Sequence, residues 1–218
     1  GPNPWKVILV LAELDIAFKI NWISYLDIKS EPYISLNANG RLPSMVDPNT
    51  NITLFESGAI IEYIVDLYDT QHKISYGADR PQDKWLAHSW LMLQMSGQGP
   101  MFGQRMWFVH FHKEKGLQSA IDRYGDEVKR IVAVIDSHLR KRAAEADAEH
   151  GRDLWLVGDK CTFADLSFVL WDVLLMTSLF PGEDIGIGET FPYFYKWHES
   201  LVARPAVREM LEMRERLM

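Results

Sequence analysis

The 218 residues contain a single cysteine, Cys161. An intrachain disulfide is therefore excluded, as is any CxxC redox or zinc motif. Basic residues are in the minority, 23 Lys and Arg against 30 Asp and Glu, for a net charge of −7. Phosphate backbones are bound by basic surfaces, so a nucleic-acid partner is not expected. No apolar run reaches the roughly 20 residues of a membrane span. The longest candidate, 163–180, is interrupted by Asp165, Ser167 and Asp172. No signal peptide is expected ahead of Asn3. Internal repeats and low-complexity segments are missing. Metal ligands do not converge: His110 and His112 stand at i, i+2 on different helix faces, and no Cys or acidic set joins them or His88. These absences predict a cytoplasmic protein without a metal, membrane or nucleic-acid partner.

Aromatics, by contrast, are plentiful: eight Trp, eight Tyr and ten Phe. That density builds cores and apolar clefts alike. The most informative stretch runs from Asn39 to Asp69. Ser44-Met45-Val46 and Ile52-Thr53-Leu54-Phe55 are short β-type runs, and 47–51 (DPNTN) has the composition of a hairpin turn. A helix follows from Glu56-Ser57-Gly58, with Ile60, Ile61, Ile64, Val65 and Tyr68 forming an apolar stripe. Pro43, after Leu42, sits where a strand begins and a missing ladder donor is tolerated. A cis bond there would leave the Leu42 backbone available to pair with a bound peptide. At the helix start, free N–H groups and the positive dipole end favour a carboxylate. Ser57 can cap the helix and donate its hydroxyl, and Glu56 can accept from an ammonium group. Together they suit an α-amino acid end. Taken singly, each is also an ordinary helix-start residue.

The order NGRLP, hairpin, FESGAI resembles the glutathione-binding half of the glutathione transferase superfamily, and the NPWKV start resembles its fungal Ure2-like class. The resemblance implies a thioredoxin-like domain that binds glutathione. Leu42 would pair with the cysteinyl part, with Pro43 behind it, and Glu56 and Ser57 would hold the γ-glutamyl end. Lys29 or Arg41 would reach the glycine carboxylate; taken singly, Lys29 reads first as a solvated lysine, and Arg41 also suits pairing with an acid. Asn3 would lie beside the sulfur as the catalytic residue, adding a neutral donor to a helix N-terminus that lowers a thiol's pKa. Asn3 also reads as the cap of a helix whose first residue is Pro4.

Along the chain, Val7, Ile8, Val10, Leu11 and Leu14 predict a buried helix, and 18–25 (FKINWISY) alternates as a strand. The family fold places another strand before the Asn3 loop, and none is expected in this chain. Residues 71–82 read as a linker, and strand signals stop after it. A helix is expected over 83–95. Gly97, Gly99, Pro100 and Gly103 then bend the chain before 101–112 resumes. The run QMSGQGPMFGQ resembles the kinked helix that lines the electrophile cleft in the Ure2-like class, which makes Gln98, Met101 and Gln104 substrate-pocket candidates. A Met and aromatic stripe also fits plain core. A long amphipathic helix is predicted over 119–142, then a charged loop over 143–153. Thr162 and Asp165 form a capping box before an apolar helix, a structural device that the family shares. Further helices open at Pro192 and Pro205.

The resulting expectation is an α+β two-domain protein. A thioredoxin-like α/β domain spans 1–70, and an all-helical domain over 83–218 supplies the electrophile side and part of a homodimer interface. The implied activity is glutathione transfer to electrophiles, disulfides or peroxides. A non-catalytic Ure2-like regulator on the same fold is the alternative, although no Asn/Gln-rich arm of the prion-forming regulator is present.

Overall fold

A computed structural model describes residues 1–145 and 154–217. It divides into two units, one made of Gly1–Ser75 with the last helix, the other of Tyr76–Arg204. The first unit contains α1 (Pro2–Glu13), α2 (Tyr33–Leu36), β1 (Ser44–Asp47), β2 (Ile52–Phe55), α3 (Ser57–Tyr68) and α10 (Pro205–Leu217). The hairpin lies where the sequence places it, β1 and β2 pairing antiparallel from Ser44↔Phe55 to Asp47↔Ile52. Asn51 turns the chain with φ 59°, a conformation that its short polar side chain tolerates. Asp47 then ties the hairpin to α3. Its carboxylate accepts from the hydroxyls of Tyr63 at 2.6 Å and Tyr68 at 2.5 Å, and from the Asn49 N–H at 2.9 Å. Hydrogen bonds from Tyr63 first and Tyr68 second hold this carboxyl down at about 2.

Two expectations about the first unit are corrected. Helix α1 begins at Pro2 and is capped by Gly1, so Asn3 lies within its first turn rather than at its cap. The second proline-ready position, Pro2, extends the helix, because the ring's missing N–H is harmless in a first turn. Residues 18–25 form no strand: the stretch is irregular, and Trp22 is 63% exposed. A strand needs a neighbour to satisfy its backbone groups. Among the described residues the sheet contains β1 and β2 alone, paired with each other. Alternation supplied the pattern of a strand without a partner to complete it.

Helix α3 packs on α1, and α10 packs on the same helix, which is why the last helix groups with the first unit. Residues 72–75 are also fixed. Asp69 accepts from the backbone N–H groups of Lys73 at 2.6 Å and Ile74 at 3.0 Å, and from the Ser75 hydroxyl at 2.7 Å.

The second unit contains α4 (Pro81–Leu93), α5 (Gly99–Met106), α6 (Gln118–Glu145), α7 (Phe163–Thr177), α8 (Ile187–Thr190) and α9 (Pro192–Val202). Helix α7 is its hub: it is apolar on nearly every side and buried from Phe163 through Asp172. The Thr162–Asp165 capping box is formed. Two π-helical turns, Gln94–Gln98 and Trp107–Phe111, flank α5. They produce the bend that the glycines suggest by widening the backbone bond to i→i+5, as in His112 N–H to Trp107 O at 2.8 Å. Helix α6 runs on to Glu145, so 143–145 of the expected loop are helical. Residues 146–153 of that loop lie outside the described residues. Gly158, with φ +59°, is required where it stands: an added Cβ would collide with the Tyr76 hydroxyl. Tyr76 donates to Asp159 Oδ1 and accepts from the Asp159 N–H, both at 3.0 Å. Among the described residues no helix is long and apolar enough to cross a membrane.

Candidate functional site

The hairpin register gathers the two halves of the predicted site. The pairing ends at Ser44↔Phe55, so Leu42–Pro43 enters and Glu56–Ser57 leaves the hairpin at the same end. Two segments about a dozen residues apart therefore emerge side by side at one end of the hairpin. The Leu42–Pro43 bond is cis. The loop before it is pinned from below: the Tyr33 hydroxyl and the Asn37 amide both donate to Arg41 O, at 2.7 and 2.6 Å, and Ser44 Oγ donates to Tyr33 Oη at 2.9 Å. Tyr33 and Asn37 are buried and were not singled out from the sequence, since a Tyr in a polar loop carries no signal of its own.

Lys29 Nζ donates to Asn39 O at 2.8 Å, which lays this exposed lysine along the turn that precedes Arg41. Gly40 makes that possible. It has φ +56°, and a Cβ there would come 2.7 Å from Ile28 O and 2.7 Å from Lys29 Cδ. Both predicted cations are exposed: Arg41 directly precedes Leu42, and Lys29 is held at the Asn39 carbonyl three residues before it.

At the start of α3 the roles differ from expectation. Glu56, not Ser57, occupies the cap position, with φ 69° and ψ 118°. That region is sparsely populated by residues with a side chain, and such strain persists only where the surroundings hold it. Ser57 is the first helical residue and is 2% exposed. Its hydroxyl and the first-turn N–H groups lie at the positive end of the helix.

The sequence reading missed Lys6. This lysine is 1% exposed, on α1 one turn after Asn3. Burial drags its ammonium down to about 7, while the Glu56 carboxylate pulls in the opposite direction. Helix α1, which carries both Asn3 and Lys6, packs on α3. Asn3, at i−3 from Lys6, is a neighbouring position on the helix surface. A lone charge inside an apolar helical run, WKVILV, was the available signal.

In the second unit the three predicted residues separate. Gln98 is fully buried: its amide donates to Asp172 Oδ1 at 2.7 Å, and its carbonyl accepts from Gln94 Nε2 at 3.0 Å. Gln98 is corrected from pocket-lining to core, because the π-helical turn rotates it inward. Met101 is half-buried and Gln104 exposed, on α5. Cys161 is buried, against Thr162, with no open approach for a nucleophile's role. Among the described residues, no group of three His, Cys, Asp or Glu is arranged to hold a metal.

The family model described as "Glutathione S-transferase, N-terminal domain" matches residues 1–67, and that described as "Glutathione S-transferase, C-terminal domain" matches residues 100–205. The chain is 44% identical over 209 residues to the glutathione S-transferase-like protein tpcF of Aspergillus fumigatus, spanning 96% of this chain and 90% of that one. It is 36% identical over 227 residues to glutathione S-transferase 1 of Schizosaccharomyces pombe, spanning 99% and 93%. The crystal structure of the glutathione transferase URE2P6 from Phanerochaete chrysosporium, in complex with oxidised glutathione, superposes with a TM-score of 0.88 at 37% identity. That match covers 100% of this chain and 94% of the other.

Proposed function

The chain belongs to the glutathione S-transferase family, and on that premise we propose that it binds glutathione in its first unit and activates the thiol for attack. The observation that carries the reading is the hairpin, whose last pair, Ser44↔Phe55, leaves Leu42–Pro43 and Glu56–Ser57 at one end of it, the latter at the start of α3. In this arrangement Glu56 accepts from the α-ammonium of glutathione, and Ser57 and the first N–H groups of α3 receive the α-carboxylate. The Leu42 backbone pairs with the cysteinyl residue beside Pro43. Lys29 and Arg41 attract the glycine carboxylate. Asn3, in the first turn of α1, faces the sulfur. The thiol loses its proton to solvent, and the sulfur then forms a bond to an electrophilic carbon, a disulfide sulfur or a peroxide oxygen. The leaving atom takes the bonding electron pair. Met101 and Gln104 are the helical unit's candidates for recognising that second substrate. The aromatics exposed on the helical unit, Trp85, Trp107 and Phe111, support a homodimer, and we assign the chemistry a detoxifying role in the cytoplasm. Glutathione-dependent turnover separates this reading from a non-catalytic regulator.

Glu56→Ala and Ser57→Ala test the site. Each removes a charge-assisted hydrogen bond worth roughly 1.5–3 kcal/mol, so calorimetric glutathione affinity should fall about 10- to 100-fold while thermal stability changes little. Unchanged affinity in both proteins would remove the assignment.

Asn3→Ala tests activation. Free thiols titrate near about 8.5, and one neutral donor supplies about one unit of pKa lowering. The variant's pH–rate profile should shift upward by about one unit, with slower turnover near pH 7 and a smaller change in glutathione affinity. Superimposable profiles would leave Asn3 without a catalytic role.

A further inference from the structure

One backbone carbonyl of the first unit is held by two buried side chains at once. The Tyr33 hydroxyl and the Asn37 amide both donate to Arg41 O, at 2.7 and 2.6 Å, and both residues are buried. Neither donor is free to turn away. Asn37 Oδ1 accepts from the Asn39 N–H at 2.9 Å, which leaves Nδ2 as the group that meets Arg41 O. The Asn37 backbone is fixed as well: its N–H donates to Tyr33 O at 3.0 Å, and its carbonyl accepts from the Gly40 N–H at 2.8 Å. The Tyr33 hydroxyl also accepts from the Ser44 hydroxyl at 2.9 Å. Tyr33 therefore ties together Arg41 and Ser44, the residues on either side of Leu42–Pro43. The Arg41 carbonyl and the Leu42 N–H share one planar trans peptide, in which they point in opposite directions. Donors that fix the carbonyl on the protein side thus fix the N–H on the other side. Among the described residues, no acceptor is paired with that N–H.

We propose that Tyr33 and Asn37 are positioning residues for the glutathione site: by holding the Arg41 carbonyl they aim the Leu42 N–H at the backbone of the bound cysteinyl residue. Both act through the peptide plane and not by touching the ligand. A donor already held in the bound orientation loses little freedom on binding, which is how preorganisation raises affinity. Without the two side chains, the Arg41–Leu42 peptide would have to be oriented by the ligand itself.

The proposal rests on the glutathione site assigned above, and the choice of variants keeps the two apart. Tyr33→Phe removes one hydroxyl and keeps the buried ring. Asn37→Asp keeps the acceptor for the Asn39 N–H and turns a carboxylate oxygen toward Arg41 O in place of the donor. Both are compared with the wild type by calorimetric titration with glutathione, well below each protein's Tm, and by steady-state kinetics. Tyr33→Phe should weaken glutathione binding about fivefold and Asn37→Asp about tenfold or more. KM for glutathione should rise in step, with kcat at saturation within about threefold. Amide hydrogen exchange reads the cause. Glutathione should slow exchange at the Leu42 N–H about tenfold or more in the wild type, and by less than half that factor in Tyr33→Phe at the same fractional saturation. Should Asn37→Asp fail to fold, Tyr33→Phe carries the test. A lower Tm with unchanged glutathione affinity in Tyr33→Phe, or undiminished protection of Leu42 in it, would overturn the positioning role alone, provided that Glu56→Ala and Ser57→Ala bind glutathione more weakly. Affinity unchanged in those two variants as well would overturn the site assignment with it.

Discussion

Asp165→Ala should destabilise the protein by about 4 kcal/mol or more, as measured by urea unfolding at neutral pH. The carboxylate is completely buried and satisfies four donors. Oδ1 accepts from the Leu156 N–H at 2.8 Å and from Trp197 Nε1 at 2.9 Å, and Oδ2 accepts from the N–H and the hydroxyl of Thr162, both at 2.9 Å. Each buried donor left without an acceptor costs about 1–3 kcal/mol, and the whole stability of a domain is only about 5–15 kcal/mol. The residue joins three parts of the second unit at once: the 154–158 return, the start of α7 and the centre of α9. Asp165→Asn should lie between wild type and Ala, because it keeps Oδ1 but turns an amide N–H₂ toward the Thr162 donors. A loss below about 1 kcal/mol for Ala would show that water replaces the carboxylate, and would remove this junction from the account of the core.

Asp172→Asn should act in the opposite sense, with a gain that depends on pH. Asp172 is fully buried in α7 and has one partner for one oxygen, the Gln98 amide; Oδ2 has none. Burial raises its pKa well above the usual carboxylate range, only partly countered by the Gln98 bond. The folded protein therefore keeps this proton at pH values where the unfolded chain has released it. Stability due to this group is full below the unfolded value and is lost as pH rises, by up to about 1.4 kcal/mol per pH unit until the folded group ionises. Asparagine cannot ionise, and its oxygen still accepts from Gln98. At pH 7 the variant should exceed the wild type by about 1 kcal/mol or more, with the difference shrinking toward pH 4. Parallel stability curves from pH 4 to 8 would mean that Asp172 does not titrate with unfolding.

Much of the fold could be read where local and long-range signals agree. The β1–β2 hairpin has two β-type runs around DPNTN, and its turn chemistry, register and anchoring by Asp47 all act over short sequence distances. The Thr162–Asp165 box is equally local. The stretch 18–25 shows the opposite case: its alternation is as regular as that of β2, but pairing depends on a neighbour that no local pattern can supply. The π-helical turns were legible only as an accumulation of glycines, because one extra residue in a helical turn leaves the apolar period almost unchanged. In the candidate site, Leu42, Pro43, Glu56 and Ser57 were proposed from their order along the chain. The exchange of cap roles between Glu56 and Ser57 was not, since it depends on a backbone angle. Lys6 was passed over because a charge in an apolar run is usually assigned to the solvent face, and only the packing of α1 between α3 and α10 turns that position inward.

The pairing of α1 with α10 makes the first unit discontinuous in the chain, whereas the helical unit, Tyr76–Arg204, is continuous. Loss of Pro205–Leu217 would bare a flank of the helix that carries Asn3 and Lys6 while leaving every residue of the helical unit in place.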